Sequence, residues 1–485
     1  MAVLSGLEPK AVFEYFEKLC AVPHGSGNTK RISDLCVDFA KELGLRWRQD
    51  EANNVIIWKD ASPGYEGAGA VILQGHIDMV CVKTDQCPKD LTRDGLDLVT
   101  DGEWVWADQT SLGGDNGIAV AMILAILASD TLPHPPLEAV FTVDEEVGME
   151  GAFALDCSDL KGRKLINLDS EEEGVFTVSC AGGVRLDCFL PGEWTLAETA
   201  GRAYSVTLSG LLGGHSGAEI HKGRASANQV MGRVLYSAME RFPGLRLGGI
   251  RGGRFDNVIC SGNQALAVVP ENRPGDFEAF IREFDATLKN EYARCDDGIT
   301  LTCAHGGLVD GTLTAESTER ILRTLLAVPQ GVQAMNADFP GLVQTSLNLG
   351  VMELKADGLH FALSVRSCIA SQKAMMVQRL RAILALGGGT LSERSDYPGW
   401  QYDRNSALRE EVLAAYRAVS GQEGRLEATH GGLECGLFIE KIPGLDAVSF
   451  GPDIRDVHST KERLHAASTR RVYEMTCALL REMRP

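Results

Sequence analysis

Residues 71–80 read Val71-Ile72-Leu73-Gln74-Gly75-His76-Ile77-Asp78-Met79-Val80. Val71 to Gln74 form a short, continuous strand pattern of the kind buried on both faces. His76 and Asp78 follow at a spacing of two, which in extended backbone sends both side chains to one side. Asp78 can then hold one imidazole nitrogen of His76 while the other faces a metal ion. The pair alone also fits a surface histidine beside a surface aspartate, so its meaning depends on the rest of the chain.

Two further strand patterns end in acidic residues. Leu137–Val143 runs into Asp144-Glu145-Glu146, and Leu165–Leu168 into Asp169-Ser170-Glu171-Glu172-Glu173-Gly174. Ahead of both, Ile118–Ala128 is almost wholly apolar, the mark of a helix buried all round. Asp115 precedes it in the loop Leu112-Gly113-Gly114-Asp115-Asn116-Gly117, as either a helix cap or a ligand. In open α/β sheets ligands collect at the carboxyl ends of strands. Three such ends with metal-type side chains, plus a glycine-loop aspartate, form a pattern that chance rarely supplies.

Upstream, residues 9–46 carry two amphipathic helical patterns joined by the turn-rich Pro23–Asn28. Trp47–Trp58 suggests a hairpin with Asn53-Asn54 near its turn. From about residue 188 strands and helices segregate in an α+β pattern, as in a separate layered domain. After Tyr397-Pro398-Gly399-Trp400 the α/β style resumes, through His430-Gly431-Gly432-Leu433-Glu434-Cys435-Gly436 and a loop ending in His458-Ser459. The expected organisation is a discontinuous domain, 1–187 with 397–485, carrying an inserted domain, 188–396.

Bulk properties narrow the class. At 485 residues two domains are expected. A net charge of −19 without Lys/Arg runs argues against nucleic-acid binding. No basic-apolar leader or membrane-length apolar run occurs, so a membrane role is not expected. The 13 cysteines are scattered, odd in number and without a CxxC pair. Reduced thiols in a cytoplasmic protein are therefore expected, not a disulfide framework.

Taken together, His76, Asp115, Glu146, Asp169 and His458 are imidazole and carboxylate donors without a thiolate, a set that suits Zn²⁺, Mn²⁺ or Co²⁺. Five residues fit two ions if one carboxylate bridges. Asp115 is the natural bridge, with His76 and Asp169 on one ion and Glu146 and His458 on the other. Such a pair would share and acidify a water. Glu145, beside a ligand but not needed as one, is the candidate general base. For Glu145 and Glu146 to reach different targets the strand end must turn, and Gly148 makes that turn plausible.

The chain resembles the dinuclear zinc aminoacylase/carnosinase superfamily of metallopeptidases, and within it the aminoacyl-histidine dipeptidase branch. The resemblance spans nearly the whole chain. It rests on Gln74–Val80, Leu112–Ile118, Asp144–Ala152, Asn167–Gly174, Gly213-Gly214-His215-Ser216-Gly217, Tyr397–Trp400, His430–Phe438 and His458-Ser459. It implies a zinc-exopeptidase-like catalytic domain with a mixed sheet and flanking helices, an inserted α+β lid, two zinc ions, and a cis peptide at Asp115–Asn116. It also implies Asp78 as the residue steering His76, Glu145 as the base, and a homodimer.

The same resemblance assigns His215 to oxyanion stabilisation, Arg366 to a substrate carboxylate and Asn257 to substrate holding, with Glu434 near the substrate amine. Each has a structural alternative: a histidine in a glycine-rich turn, a salt bridge, a lid loop in which Cys260 replaces an expected proline, and a buried structural glutamate. His221, His430 and the run Glu171–Glu173 keep open roles. The expected activity is hydrolysis of dipeptides, including Xaa-His dipeptides. The alternatives are a related deacylase or aminotripeptidase, or a metal-binding scaffold that has lost catalysis.

Overall fold

The strand Val71–His76 is buried along its whole length and lies between two parallel neighbours, Leu137–Thr142 and Lys164–Asn167. The computed structural model describes residues 3–196, 201–270, 275–307 and 309–485. Within these the chain forms two compact units. One comprises Met1–Ser179, Tyr402–Ala428 and Leu433–Pro485; the other comprises Cys180–Gln401 and Thr429–Gly432. The sequence pattern had suggested divisions after residues 187 and 396. Residue 187 falls inside the strand Gly182–Pro191, which belongs wholly to the second unit.

The first unit is built on a mixed eight-stranded sheet. Its order is Arg46–Gln49, Val55–Lys59, Leu137–Thr142, Val71–His76, Lys164–Asn167, Asp446–Ser449, Val175–Cys180, Arg425–Thr429. The first two strands are the expected hairpin, paired antiparallel, with Asn53 in the left-handed region at φ 78°. Helix Gly114–Ala128 has its apolar side chains buried on every side, Ile118 to Leu127 all at 3% exposure or less. Each Leu or Ile so buried contributes roughly 1.5–3 kcal/mol. The helix is thereby fixed against the sheet, and the loop at its start is fixed with it.

A small four-stranded sheet that sequence reading missed joins Ile454–Arg455, Arg463–His465, Trp104–Ala107 and Leu98–Thr100. These strands are two to four residues long, too short to show a period. They matter because they carry the loop that holds His458.

The second unit is a nine-stranded sheet of antiparallel pairs, counted among the described residues, with Val343–Lys355 and Gly358–Ser367 at its middle. Leu347, Leu349, Leu363 and Val365 from these strands join a core with Val230, Val234, Phe277, Ile321 and Leu380 from the helices. This is the segregated α+β layering expected from the sequence.

Asn54 shows how the first unit fixes its turns. Its side chain, 1% exposed, donates to Asp50 Oδ2 (2.7 Å) and Gly151 O (3.0 Å) and accepts from Val143 N (3.1 Å). It therefore pins the segment Val143–Gly151, which contains Glu145 and Glu146, to the hairpin. Asn54→Ala strands those buried backbone groups and should cost about 1–3 kcal/mol. Urea unfolding reads this directly; a loss under about 0.5 kcal/mol would contradict it.

Candidate metal centre and substrate-binding groups

The strand ends converge in the first unit. His76 closes its strand, fully buried, and its backbone N–H donates to Asn116 Oδ1 (3.2 Å). Asn116 Nδ2 in turn donates to Leu168 O (2.8 Å). Gly75 is required here, because a Cβ would lie 2.6 Å from Asn116 Oδ1. The peptide Asp115–Asn116 is cis. Both residues have non-helical backbone angles, so regular helix begins only after them.

Asp115 is not spent as a helix cap. Its Oδ1 lies 3.2 Å from His76 Nε2 and its Oδ2 lies 3.1 Å from His458 Nε2. Asp169 Oδ1 is 3.5 Å from His76 Nε2, and Glu146 Oε1 is 2.9 Å from His458 Nε2. Two groups of donor atoms result: His76, Asp115 and Asp169, and Asp115, Glu146 and His458. In each group all the atoms lie within 4.8 Å of one another. Asp115 is common to both.

Asp78 meets His76 through its backbone oxygen as well as its carboxylate. The strand stops at His76, and the nearest acceptor to His76 Nδ1 is the backbone oxygen of Asp78 at 3.0 Å; the carboxylate stands at 3.4 Å. That carboxylate is engaged by Ser26 Oγ (2.8 Å) and by the amides of Glu145 (3.1 Å) and Glu146 (3.4 Å). It thus clamps the turn on which Glu145 and Glu146 diverge. The turn is sharp: Asp144, Gly148 and Met149 have φ of 53°, 129° and 61°.

The electrostatics fit a cation. Burial first, then the charges of Asp169, Glu434 and Glu146, push the Glu145 carboxyl up to about 9. Burial also raises Asp169 and Glu146. Burial disfavours charge on His76, yet Asp169 and its bonds to Asp115 and Asp78 hold it well above the usual imidazole value. Bonds to Asp115 and Glu146 raise His458 to about 10. Acidic groups crowded this closely favour the protonated form of both imidazoles, and a divalent ion among the same atoms would compete with those protons. The donor set, neutral imidazole plus carboxylate without thiolate, is one that Zn²⁺, Mn²⁺ and Co²⁺ accept.

Glu434 lies fully buried in the same unit. Its Oε2 accepts from Gln74 Nε2 (2.6 Å) and Thr142 Oγ1 (2.8 Å), while Oε1 has no partner. Burial raises its carboxyl to about 7. Of the acidic run, Glu173 pairs with Arg471 (2.6 Å) and Glu172 with Arg425 (3.2 Å). Burial, then Asp115 and Asp169, raise Glu171 to about 7.

Within the second unit, His215 and Arg366 flank Gly217. A Cβ on that glycine would sit 3.0 Å from His215 Cε1 and 3.4 Å from Arg366 Cζ. Arg366 Nη1 donates to the Tyr397 hydroxyl (3.0 Å), and its buried Nε has no partner. Neither nitrogen meets a carboxylate among the described residues. His430 Nε2 is 2.8 Å from Ser346 Oγ; burial and Arg366 lower its imidazole to about 3, so it is neutral. Asn257 lies beside His215 in the chain's pairing: its carbonyl accepts from Ser216 N (2.9 Å), next to the short ladder of Gly214–His215 with Val258–Ile259.

Sequence reasoning missed three kinds of group. Gln74 and Thr142 hold Glu434, and Gln74 had a signal as a polar residue in an apolar strand. Ser26 on Asp78 had none. Glu462, four residues past His458, carried no sequence signal, yet it is 3% exposed.

The model of peptidase family M20/M25/M40 matches residues 72–482, and the chain belongs to that family. Among its relatives, the cytosol non-specific dipeptidase of Escherichia coli (strain K12) is 36% identical over 483 residues, covering 100% of this chain and 99% of that protein. The crystal structure of aminoacylhistidine dipeptidase from Vibrio alginolyticus superposes with a TM-score of 0.93 at 35% identity, over 99% of this chain and 98% of that one. An aminopeptidase of Bacillus cereus shares the fold at 16% identity and TM-score 0.58, over 98% of this chain and 99% of that one. No helix among the described residues is long and apolar enough to cross a membrane.

Because the crowded carboxylates favour the protonated form of both His76 and His458, which ligate only when neutral, metal uptake should release protons and tighten as pH rises. Calorimetric titration with Mn²⁺ in two buffers of different ionisation enthalpy measures this. Net proton release is expected; none would contradict the arrangement.

Proposed function

We propose that the chain is a cytoplasmic dinuclear metallo-dipeptidase acting on short peptides, including Xaa-His dipeptides. The observation that carries this reading is the single carboxylate of Asp115 shared between two donor groups, in a chain matched end to end by relatives that are named dipeptidases. His76, Asp115 and Asp169 would hold one ion, and Asp115, Glu146 and His458 the other, with zinc the proposed metal and Mn²⁺ or Co²⁺ the alternatives. Two bound ions would supply Lewis-acid polarisation of the scissile carbonyl and an acidified water.

The chain's own groups supply the rest. Asp78 clamps the turn so that Glu146 faces His458 while Glu145 remains free of both donor groups. Glu145 takes the proton of the attacking water on its carboxylate and returns it to the leaving nitrogen. Two bound ions nearby would offset the acid-crowded setting that raises this carboxyl, so that it could start ionised and end protonated. Glu434 Oε1 offers an unpartnered acceptor to the ammonium of a free N-terminus. From the second unit, motif resemblance assigns Arg366 to the terminal carboxylate, Asn257 to substrate holding and His215 to the oxyanion. A homodimer, with His215 serving the other subunit, is part of the same proposal.

The test is turnover of β-alanyl-histidine, several α-dipeptides and N-acetyl amino acids, with metal content measured in parallel. Glu145→Ala should keep two ions and lose about 10²–10⁴-fold in kcat. Arg366→Ala should lose about 10–100-fold in kcat/KM on dipeptides, the worth of a charged hydrogen bond. Preference for N-acetyl amino acids over every dipeptide would overturn the substrate assignment.

A further inference from the structure

We propose that Glu462 is a positioning residue for the metal pair, setting the place of Asp115 through the backbone alone. The inference rests on Asp115 being the shared ligand. Glu462 Oε2 accepts from the amides of Leu112 (2.7 Å) and Gly113 (3.0 Å), and Oε1 from those of Gly114 (2.8 Å) and Asp115 (3.3 Å). Four consecutive N–H groups converge on one buried carboxylate, the concave amide arrangement that binds anions. Here the anion is a side chain of the same protein. Gly113 has φ +67°, and a Cβ at Gly114 would sit 3.3 Å from Glu462 Oε1. The two glycines let the backbone curl around the carboxylate.

The other end of the link is His458. Arg455 pairs with Arg463 across a hairpin, and the connection between them contains both His458 and Glu462. That connection is tightly held. Ser459 Oγ donates to Asp456 O (2.6 Å), Lys461 N to Ser459 Oγ (3.1 Å) and Glu462 N to Ser459 O (3.2 Å). Asp456 and His458 both sit in the left-handed region, at φ 53° and 58°. One short loop therefore presents a ligand imidazole and also grips the backbone of the shared ligand. The separation of Asp115 Oδ2 from His458 Nε2, 3.1 Å, is the quantity this grip controls.

The chemistry demands a carboxylate. All four partners donate, and glutamine offers one acceptor oxygen while aiming its NH₂ at two N–H groups. Aspartate keeps the charge but draws it back by one methylene. The experiment is stepwise Co²⁺ titration of wild type, Glu462→Gln, Glu462→Asp and, as a control in the same turn, the exposed Lys461→Ala. Affinities come from chelator competition, site geometry from the visible Co²⁺ spectrum, and folding from circular dichroism.

Folded Glu462→Gln should bind the ions about 10–100-fold more weakly, the usual loss when a partner behind a ligand is removed. Its spectrum should change, and at saturating metal kcat should fall while the dipeptide KM holds. Glu462→Asp should be intermediate and Lys461→Ala unchanged. Folded Glu462→Gln with wild-type affinities and spectrum overturns the proposal. Should Glu462→Gln not fold, Glu462→Asp decides by the same criteria. If wild type hydrolyses no dipeptide, the dipeptidase reading falls, whereas the affinity comparison still judges Glu462.

Discussion

The arrangement depends on one carboxylate divided between two histidines. Asp115 faces His76 with one oxygen and His458 with the other. These residues are far apart in sequence, and each arrives on a different device: a strand end, a buried helix start and a hairpin loop. The all-apolar helix Gly114–Ala128 makes this possible, because its burial leaves the loop before it no freedom to drift. The parallel strands beside it then deliver Asp169 and the Glu145–Glu146 turn to the same end of the sheet.

Holding so many acids together costs free energy, and the structure meets that cost locally. Asp78 is satisfied by a hydroxyl and two amides, Glu462 by four amides, and Glu434 by Gln74 and Thr142 on one oxygen only. The carboxylates left without such partners, above all Glu145, are those whose acidity is most disturbed. Within the second unit, Arg366 has an unpartnered buried nitrogen and lies close to His215 and to a neutral His430.

Much of this was legible in the sequence. The buried strands, the apolar helix and the α+β character of the inserted region follow from periodicity, and the five donor residues from their positions at strand and loop ends. The turn after Val143 was foreseen from the need to separate Glu145 from Glu146 and from Gly148. Other features were hidden for physical reasons. The small sheet carrying His458 has strands too short for a pattern. The link from Asp78 to the Glu145–Glu146 amides and the link from Glu462 to the Leu112–Asp115 amides join side chains to backbone across long sequence separations. No spacing encodes either. The interaction foreseen for Asp78 by strand alternation is present but long, 3.4 Å from Asp78 Oδ1 to His76 Nδ1, because the strand ends at His76 and the Asp78 carbonyl comes closer.

The most direct test of the central claim is anomalous diffraction from crystals grown with Zn²⁺. Two peaks about 3.5–4 Å apart are expected, one between His76 and Asp169 and one between Glu146 and His458, with Asp115 touching both. A single peak, or two peaks without Asp115 between them, would contradict the account.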